Sequence, residues 1–202
     1  KQWQTTIGLI YQAKSGSPYS IYYYGDVNED GANGNDLFFI PTDAQIDKMQ
    51  FEETNFSANA LTKAVFGDNF TAPKLTADMQ RAMMKHWIGN DSYMKNHRGE
   101  YYKRYADNLA FEHHFDVHFA QKYSFKVGGQ INSLELSFDI INAGNMLNKN
   151  WGHTYGDGFG VYYSPVNYQR NGRYQFTGGY ATRNYSDYYS RWRGQLGLRY
   201  TF

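Results

Sequence analysis

The chain has 202 residues, enough for one domain with a sizeable core, and its net charge of +1 gives no argument for a nucleic-acid or other polyanionic partner. It holds no cysteine, which excludes a disulfide scaffold and a Cys-ligated zinc site. Aromatic residues make up 19%, and a mean hydropathy of −0.73 with no apolar run near ~20 residues excludes a helical membrane protein but not a membrane β-barrel, whose strands are only half apolar.

The opening run "KQWQTTIGLIYQA" has neither an initiator Met nor a leader and is read as part of a longer chain. Trp3, Ile7, Leu9 and Tyr11 recur at period two and predict a strand. A long polar stretch from 14 to 97 follows, read as one partly helical loop. Within it a helix is expected over 57–66, with Ser57 as N-cap and Gly67 as stop. A second is expected over 76–88, with Thr76 as cap, Asp78 in the first turn, Met79, Met83 and Trp87 in line, and Gly89 at its end. Residues 99–107 read as a modest strand. The strongest alternation is "FEHHFDVHFAQKYSFKV" (111–127), with Phe111, Phe115, Val117, Phe119, Tyr123, Phe125 and Val127 on one face. Glu112, His114, Asp116 and His118 share the other face, read as a solvated wall before a metal site. A tight turn at 127–132 leads to "SLELSFDI", and an Asn-rich turn at 142–150 leads to a weaker strand from Trp151 to Tyr163. A polar loop at 167–189 with a hairpin tip at Asn171-Gly172 precedes the last strand, "RWRGQLGLRYTF", which is expected to pair antiparallel with the strand beginning near Trp151.

About six strands joined by alternately long and short connections give the expected fold class: all-β, an antiparallel transmembrane β-barrel section. With Phe202 periplasmic, the parity makes 14–97 and 167–189 extracellular, 142–150 periplasmic and 127–132 outer. The competing architecture is a soluble antiparallel sandwich whose apolar faces meet each other.

Gln195, Gly197, Tyr200 and Phe202 fill a polar-x-Gly-x-x-aromatic-x-aromatic pattern that resembles the β-signal read by the barrel-assembly machinery. A terminal strand with a free edge suits capture by strand addition. Together with "SGSPYSIYYYGDVNEDGANGNDLFFIP" (15–41), "RGEYYKRYADN" (98–108) and "LSFDIINAGNMLNKNWG" (136–152), the ending "SRWRGQLGLRYTF" is similar to the C-terminal part of TonB-dependent receptors of the long type with a carboxypeptidase-regulatory-like domain. The resemblance implies a 22-stranded barrel with a plugged lumen in the outer membrane of a Gram-negative bacterium. It also implies import of a ligand driven by the TonB–ExbB–ExbD system. The implied partners are the rest of the barrel and its plug, a surface lipoprotein and the lipid bilayer, and no enzyme activity is implied. None of the matched stretches belongs to the plug or TonB box, so no residue of those carries over. The alternatives are a barrel that serves as scaffold for a surface complex, and a soluble Ca²⁺-binding adhesion domain.

"DVNEDGANGND" (26–36) sets Asp26, Asn28 and Asp30 at positions 1, 3 and 5 of an EF-hand-like loop with Gly31 at the turn, a spacing of hard oxygen ligands that suits Ca²⁺. Position 12 is Leu37, and Asp36 falls one place early; the rival reading is an Asx-rich turn. Tyr22, Tyr23, Tyr24, Tyr188 and Tyr189 are expected at the surface, as ligand or partner contacts or as an aromatic girdle.

Overall fold

The computed structural model describes residues 2–56, 58–155, 161–169, 171–178 and 185–202. In chain order the strands are β1 (Gln2–Lys14), β2 (Pro18–Tyr24), β3 (Thr54–Asn55), β4 (Lys74–Leu75), β5 (Asp107–Asn108), β6 (Glu112–Val127), β7 (Gln130–Ile141), β8 (Val161–Gln169), β9 (Arg173–Phe176) and β10 (Arg193–Thr201). The helices are α1 (Asp43–Lys48), α2 (Ala60–Phe66), α3 (Ala77–Asn90), α4 (Ala143–Leu147) and α5 (Asp187–Ser190). Of the described residues 43% are strand and 21% helix, so the protein is mostly β with antiparallel sheets. It divides into two compact units, one of Lys1–Gly16, Ala110–Asp157 and Asn184–Phe202, the other of Ser17–Leu109 and Gly158–Arg183.

The first unit is a four-stranded antiparallel sheet in the order β1-β6-β7-β10. β1 lies against β6 from Gln2 opposite Ser124 to Lys14 opposite Glu112. A two-residue turn, Gly128-Gly129, joins β6 to β7; both glycines have positive φ (57° and 89°), which matches the right-handed twist of a hairpin and is closed to residues with a Cβ except at a cost. β10 completes the sheet against β7, from Arg193 opposite Ile141 to Thr201 opposite Ser133.

This register corrects several expectations. Among the described residues the sheet has four strands, where about six were expected. β10 pairs with β7 and not with a strand near Trp151. The described part of 151–155 forms a bend and an isolated bridge from Tyr155 to Tyr185, and residues 156–160 lie outside the described residues. Gln2, the Gly128-Gly129 turn and Thr201 share one end of the sheet, while the segments after Lys14 and after Ile141 leave from the other. Phe202 and the 127–132 turn are therefore on the same side, and 142–150 is on the opposite one, the reverse of the expected parity.

The second unit is a folded body where a single loop over 14–97 was expected. β2 is its centre, and the sheet order is β5-β2-β8-β9. β2 and β8 run parallel, which the expectation of a purely antiparallel chain did not include. Residues 99–107 are not a strand of the first sheet: Tyr102 is fully buried in the second unit with its amide bonded to Phe38 O at 2.7 Å, and Tyr105 takes φ 54°, which breaks an extended run. The β8–β9 hairpin ends at Gly172 (φ 79°), where the Asn-Gly pair placed it.

The helices form where their caps allow. α2 begins at Asn59 and not at Ser57, which lies outside the described residues; the Asn59 side chain accepts from the amides of Leu61 and Thr62, and Thr62 Oγ1 accepts from the Asn59 amide. α3 starts at the Thr76 cap and runs through Gly89 to Asn90, because Asp91 caps the following 3₁₀ turn by accepting from Tyr93 and Met94 amides. Its inner face buries Met83, Met84, Trp87 and Ile88, with Trp87 between the rings of Phe38 (5.5 Å) and Phe176 (5.3 Å). Gln80 is fully buried on the same face and fully used. Its Nε2 donates to Glu52 O (2.6 Å) and Leu75 O (3.2 Å), and its Oε1 accepts from Phe176 N (2.8 Å), so one side chain ties three segments.

Candidate functional site

The period-two pattern of the four long strands resolves into two chemically opposite faces. Across the sheet the register aligns Ile7, Phe119, Phe138 and Leu196 in one row, and Trp3, Tyr123, Leu134 and Tyr200 in another. These rows share a face, and it is exposed: Ile7 keeps 75% of its surface and Leu198 73%. A polar interruption, Thr5 beside Gln121, satisfies itself through a 2.8 Å hydrogen bond. On the opposite face His118 Nδ1 lies 2.6 Å from Asp139 Oδ1, and Lys122, Glu135 and Arg199 align across three strands. Apolar rows of this extent on a soluble surface mark a contact with something other than water. The outer edges of β1 and β10 carry no partner strand among the described residues, so both present free amides and carbonyls.

The residues of the β-signal pattern sit as their alternation requires. Gln195 and Gly197 are on the polar face opposite Asp139 and Ser137, and a Cβ at Gly197 would fall 2.4 Å from Ser137 Oγ. Tyr200 is on the apolar face, donates to Asn132 Oδ1 at 2.7 Å and stacks with exposed Phe202.

The far end of the sheet is held by polar side chains of β6. Glu112 is buried, accepts from Tyr155 N at 2.9 Å and lies 3.1 Å from Lys14 Nζ. Asp116 accepts from Asn142 N at 2.8 Å. His114 Nε2 is 3.3 Å from Thr154 Oγ1. The Glu112, His114, Asp116 and His118 series thus contributes separate anchors, and among the described residues no group of three His, Asp or Glu side chains gathers to hold a metal ion.

The 26–36 loop brings Asp26, Asn28, Asp30 and Asp36 together, but on backbone amides. Asp26 accepts from Asp30 and Gly31 amides, Asp36 from Val27 and Asn28, and Asp30 from Ala32. Asp30 also accepts from Asn35 Nδ2 and Asn28 Nδ2. The amide of Ala32 first, then these side chains, holds the Asp30 carboxyl below its ordinary pKa. This is the geometry of linked Asx turns.

Of the five tyrosines, Tyr24, Tyr188 and Tyr189 are exposed as expected, whereas Tyr22 and Tyr23 are buried. β2 is the central strand of its sheet and is covered on both faces, which its run of like residues does not reveal. Burial, then the neighbouring Tyr174, pushes the Tyr23 phenol above its ordinary pKa.

Three residues escaped the sequence reading: Asn142, Glu112 as an anchor, and Gln80. Asn142 adopts a left-handed conformation (φ 56°) and is buried, with Nδ2 donating to Gly152 O (2.8 Å) and Ser190 O (2.7 Å). The available signal was "NAGNMLNKNWG", an Asn at the end of a strand with a Gly ten residues later. Among the described residues no helix is long and apolar enough to cross a membrane. Comparison with protein-family models, with curated proteins and with solved structures returns no match.

Proposed function

We propose that the four-stranded sheet is a section of an outer-membrane β-barrel wall, with its apolar face on lipid and its polar face on the lumen, in a TonB-dependent receptor that imports a ligand past a plug. The observation that carries this reading is the exposed apolar face that runs across all four strands, backed by a polar face with a cross-strand ion pair between Arg199 and Glu135 and a His118–Asp139 hydrogen bond. The two free edges support it, since four strands cannot close a barrel whose smallest forms have about eight, and both edges then pair with further strands. The sheet's ends also fit: one carries a two-residue turn, and both long insertions leave from the other, as in barrels with short periplasmic turns and long outer loops. In this role the segment supplies wall and assembly signal, with the second unit as an inserted body, and the driving force comes from TonB–ExbB–ExbD acting on the plug.

The test is made on the full-length protein in its own cells. It should fractionate with the outer membrane, and uptake of its ligand should stop when TonB is removed. Recovery in the soluble fraction would defeat the reading.

The second unit favours a second role. A body with its own buried core is more than a connection needs, and it suits a scaffold that docks a surface lipoprotein. Outer-membrane location with no TonB-dependent phenotype, and loss of a surface complex on removal of the second unit, would select the scaffold.

A further inference from the structure

At the end of the sheet from which the insertions leave, the first unit carries two open clefts that share Asn150 and His153 as lining residues. The larger, of about 500 Å³, is aromatic, lined by Phe111, His113, Phe115, Trp151 and Tyr155. Phe111, His113 and Phe115 belong to the odd positions of the β6 alternation, so this cleft opens on the apolar face of the sheet. Trp151 keeps 56% of its surface exposed and Phe115 41%. From Phe115 the apolar row continues through Val117 to Phe119, ~13 Å of strand. The smaller cleft, of about 370 Å³, is polar, with Lys149, Arg191, Asp187 and Asn145 in its wall. Arg191 pairs with Asp187, and Lys149 has no ion pair among the described residues. His153 forms the junction: its ring stacks on Tyr185 at 3.7 Å and its Nε2 lies 2.9 Å from Lys149 O.

We propose that the two clefts together bind one phosphate-bearing membrane lipid, with an acyl chain in the aromatic cleft and along the Phe115–Phe119 row and the phosphate against Lys149 and Arg191. This rests on the membrane reading of the sheet. An aromatic groove alone accepts any apolar chain, and two cations alone accept any anion. Placed on either side of a shared wall, they match an amphiphile whose two parts are covalently joined. Lys149 offers phosphate a point charge unpaired among the described residues, Arg191 offers the guanidinium donors that its pairing with Asp187 leaves unused, and aromatic side chains are favoured at the headgroup level. A zwitterionic lipid brings its own cation to the same place and satisfies the cleft less well. Free phosphate leaves the aromatic half empty.

The experiment uses the full-length protein, extracted in zwitterionic detergent, titrated with phosphatidic acid and read by native mass spectrometry. Wild type should retain one phosphatidic acid in preference to phosphatidylcholine. The Lys149→Gln/Arg191→Gln double variant should bind it roughly tenfold more weakly, as expected for the loss of two solvent-exposed charge pairs. A Lys63→Gln/Arg173→Gln control, with the same charge loss in the second unit, should bind as wild type. Equal retention by wild type and the 149/191 variant overturns the proposal. So does displacement of the lipid by inorganic phosphate at matched concentration, which would leave an anion site only. Spin labels at Leu196 and Leu198 in the same protein reconstituted into vesicles report the membrane reading separately. Labels in lipid with unchanged retention sink the lipid site alone, and labels in water sink both.

Discussion

Asn142 and Gly152 are fitted to each other: the Asn142 amide donates to the Gly152 carbonyl at 2.8 Å, and a Cβ on Gly152 would lie 1.9 Å from Asn142 Oδ1. Gly152 also has φ 64°, where a side chain is strained. Gly152→Ala should cost roughly 2–4 kcal/mol locally, from left-handed strain and the displaced Asn142 hydrogen bonds. Hydrogen exchange on the full protein should show faster exchange over 142–155 with β6 and β7 unchanged. Unaltered protection of 142–155 would show that Asn142 is not what holds this segment.

The two faces of the sheet predict a binary pattern of accessibility. Spin labels at Phe119, Phe125, Leu136, Phe138, Leu196 and Leu198 should report lipid in the reconstituted full protein. Labels at His118, Lys122, Asp139 and Arg199 should report water. A mixture within either group would contradict the shared faces that the register of β6, β7 and β10 assigns.

The end of β10 predicts an assembly defect without a synthesis defect. Deleting Phe202, or replacing Tyr200 with Asp, removes an aromatic from the apolar face at the end that also holds the Gly128-Gly129 turn. Outer-membrane insertion should fall several-fold in both variants, measured by fractionation against total protein. Normal insertion of both would mean that the terminal alternation is sheet packing only.

Gln80→Leu tests the second unit. The substitution keeps the volume but leaves the Phe176 amide and the Glu52 and Leu75 carbonyls without their buried partner. A cost of roughly 3 kcal/mol is expected, visible as faster exchange in β9 and at the start of α3 while the first sheet keeps its protection.

The 26–36 loop should depend on acid in one direction. The folded pKa of Asp30 is depressed, so its contribution is complete above the ordinary carboxylate range. It is lost as pH falls through the lower folded value. Asp30→Asn should flatten that dependence of amide exchange at Ala32. Because the carboxylates already hold amide donors, Ca²⁺ should leave exchange in the loop unchanged. Tightening on Ca²⁺ addition would restore the calcium reading.

What the sequence disclosed was the part governed by period two and by turn chemistry. β1, β6, β7 and β10 were legible because one face is apolar at every second residue, and Gly128-Gly129 and Asn171-Gly172 because only such pairs make tight hairpins. β2 was not legible as a central strand, since burial on both faces erases alternation. Nor was the pairing of β10 with β7, which the 142–192 segment between them obscures, or the use of Glu112 and Asn142, whose roles depend on which loop returns to them. At the candidate site the faces were read correctly and the anchors were missed for that reason.

The interleaving of the two units along the chain bears on the order in which the protein can fold. β6 and β7 are adjacent in sequence and can pair as soon as both exist, but β1 must wait through the whole of 17–109 for its neighbour, and β10 comes last. The second unit is interrupted in turn, because β2 pairs with β8, across the first unit's longest hairpin. Neither body can complete itself from a growing N-terminal fragment. Until β10 is present the first sheet lacks a strand against β7, and part of its apolar alternation has no neighbour. Such interleaving suits delivery of this segment in an unfolded state, since open intermediates with unpaired strand edges are prone to aggregate.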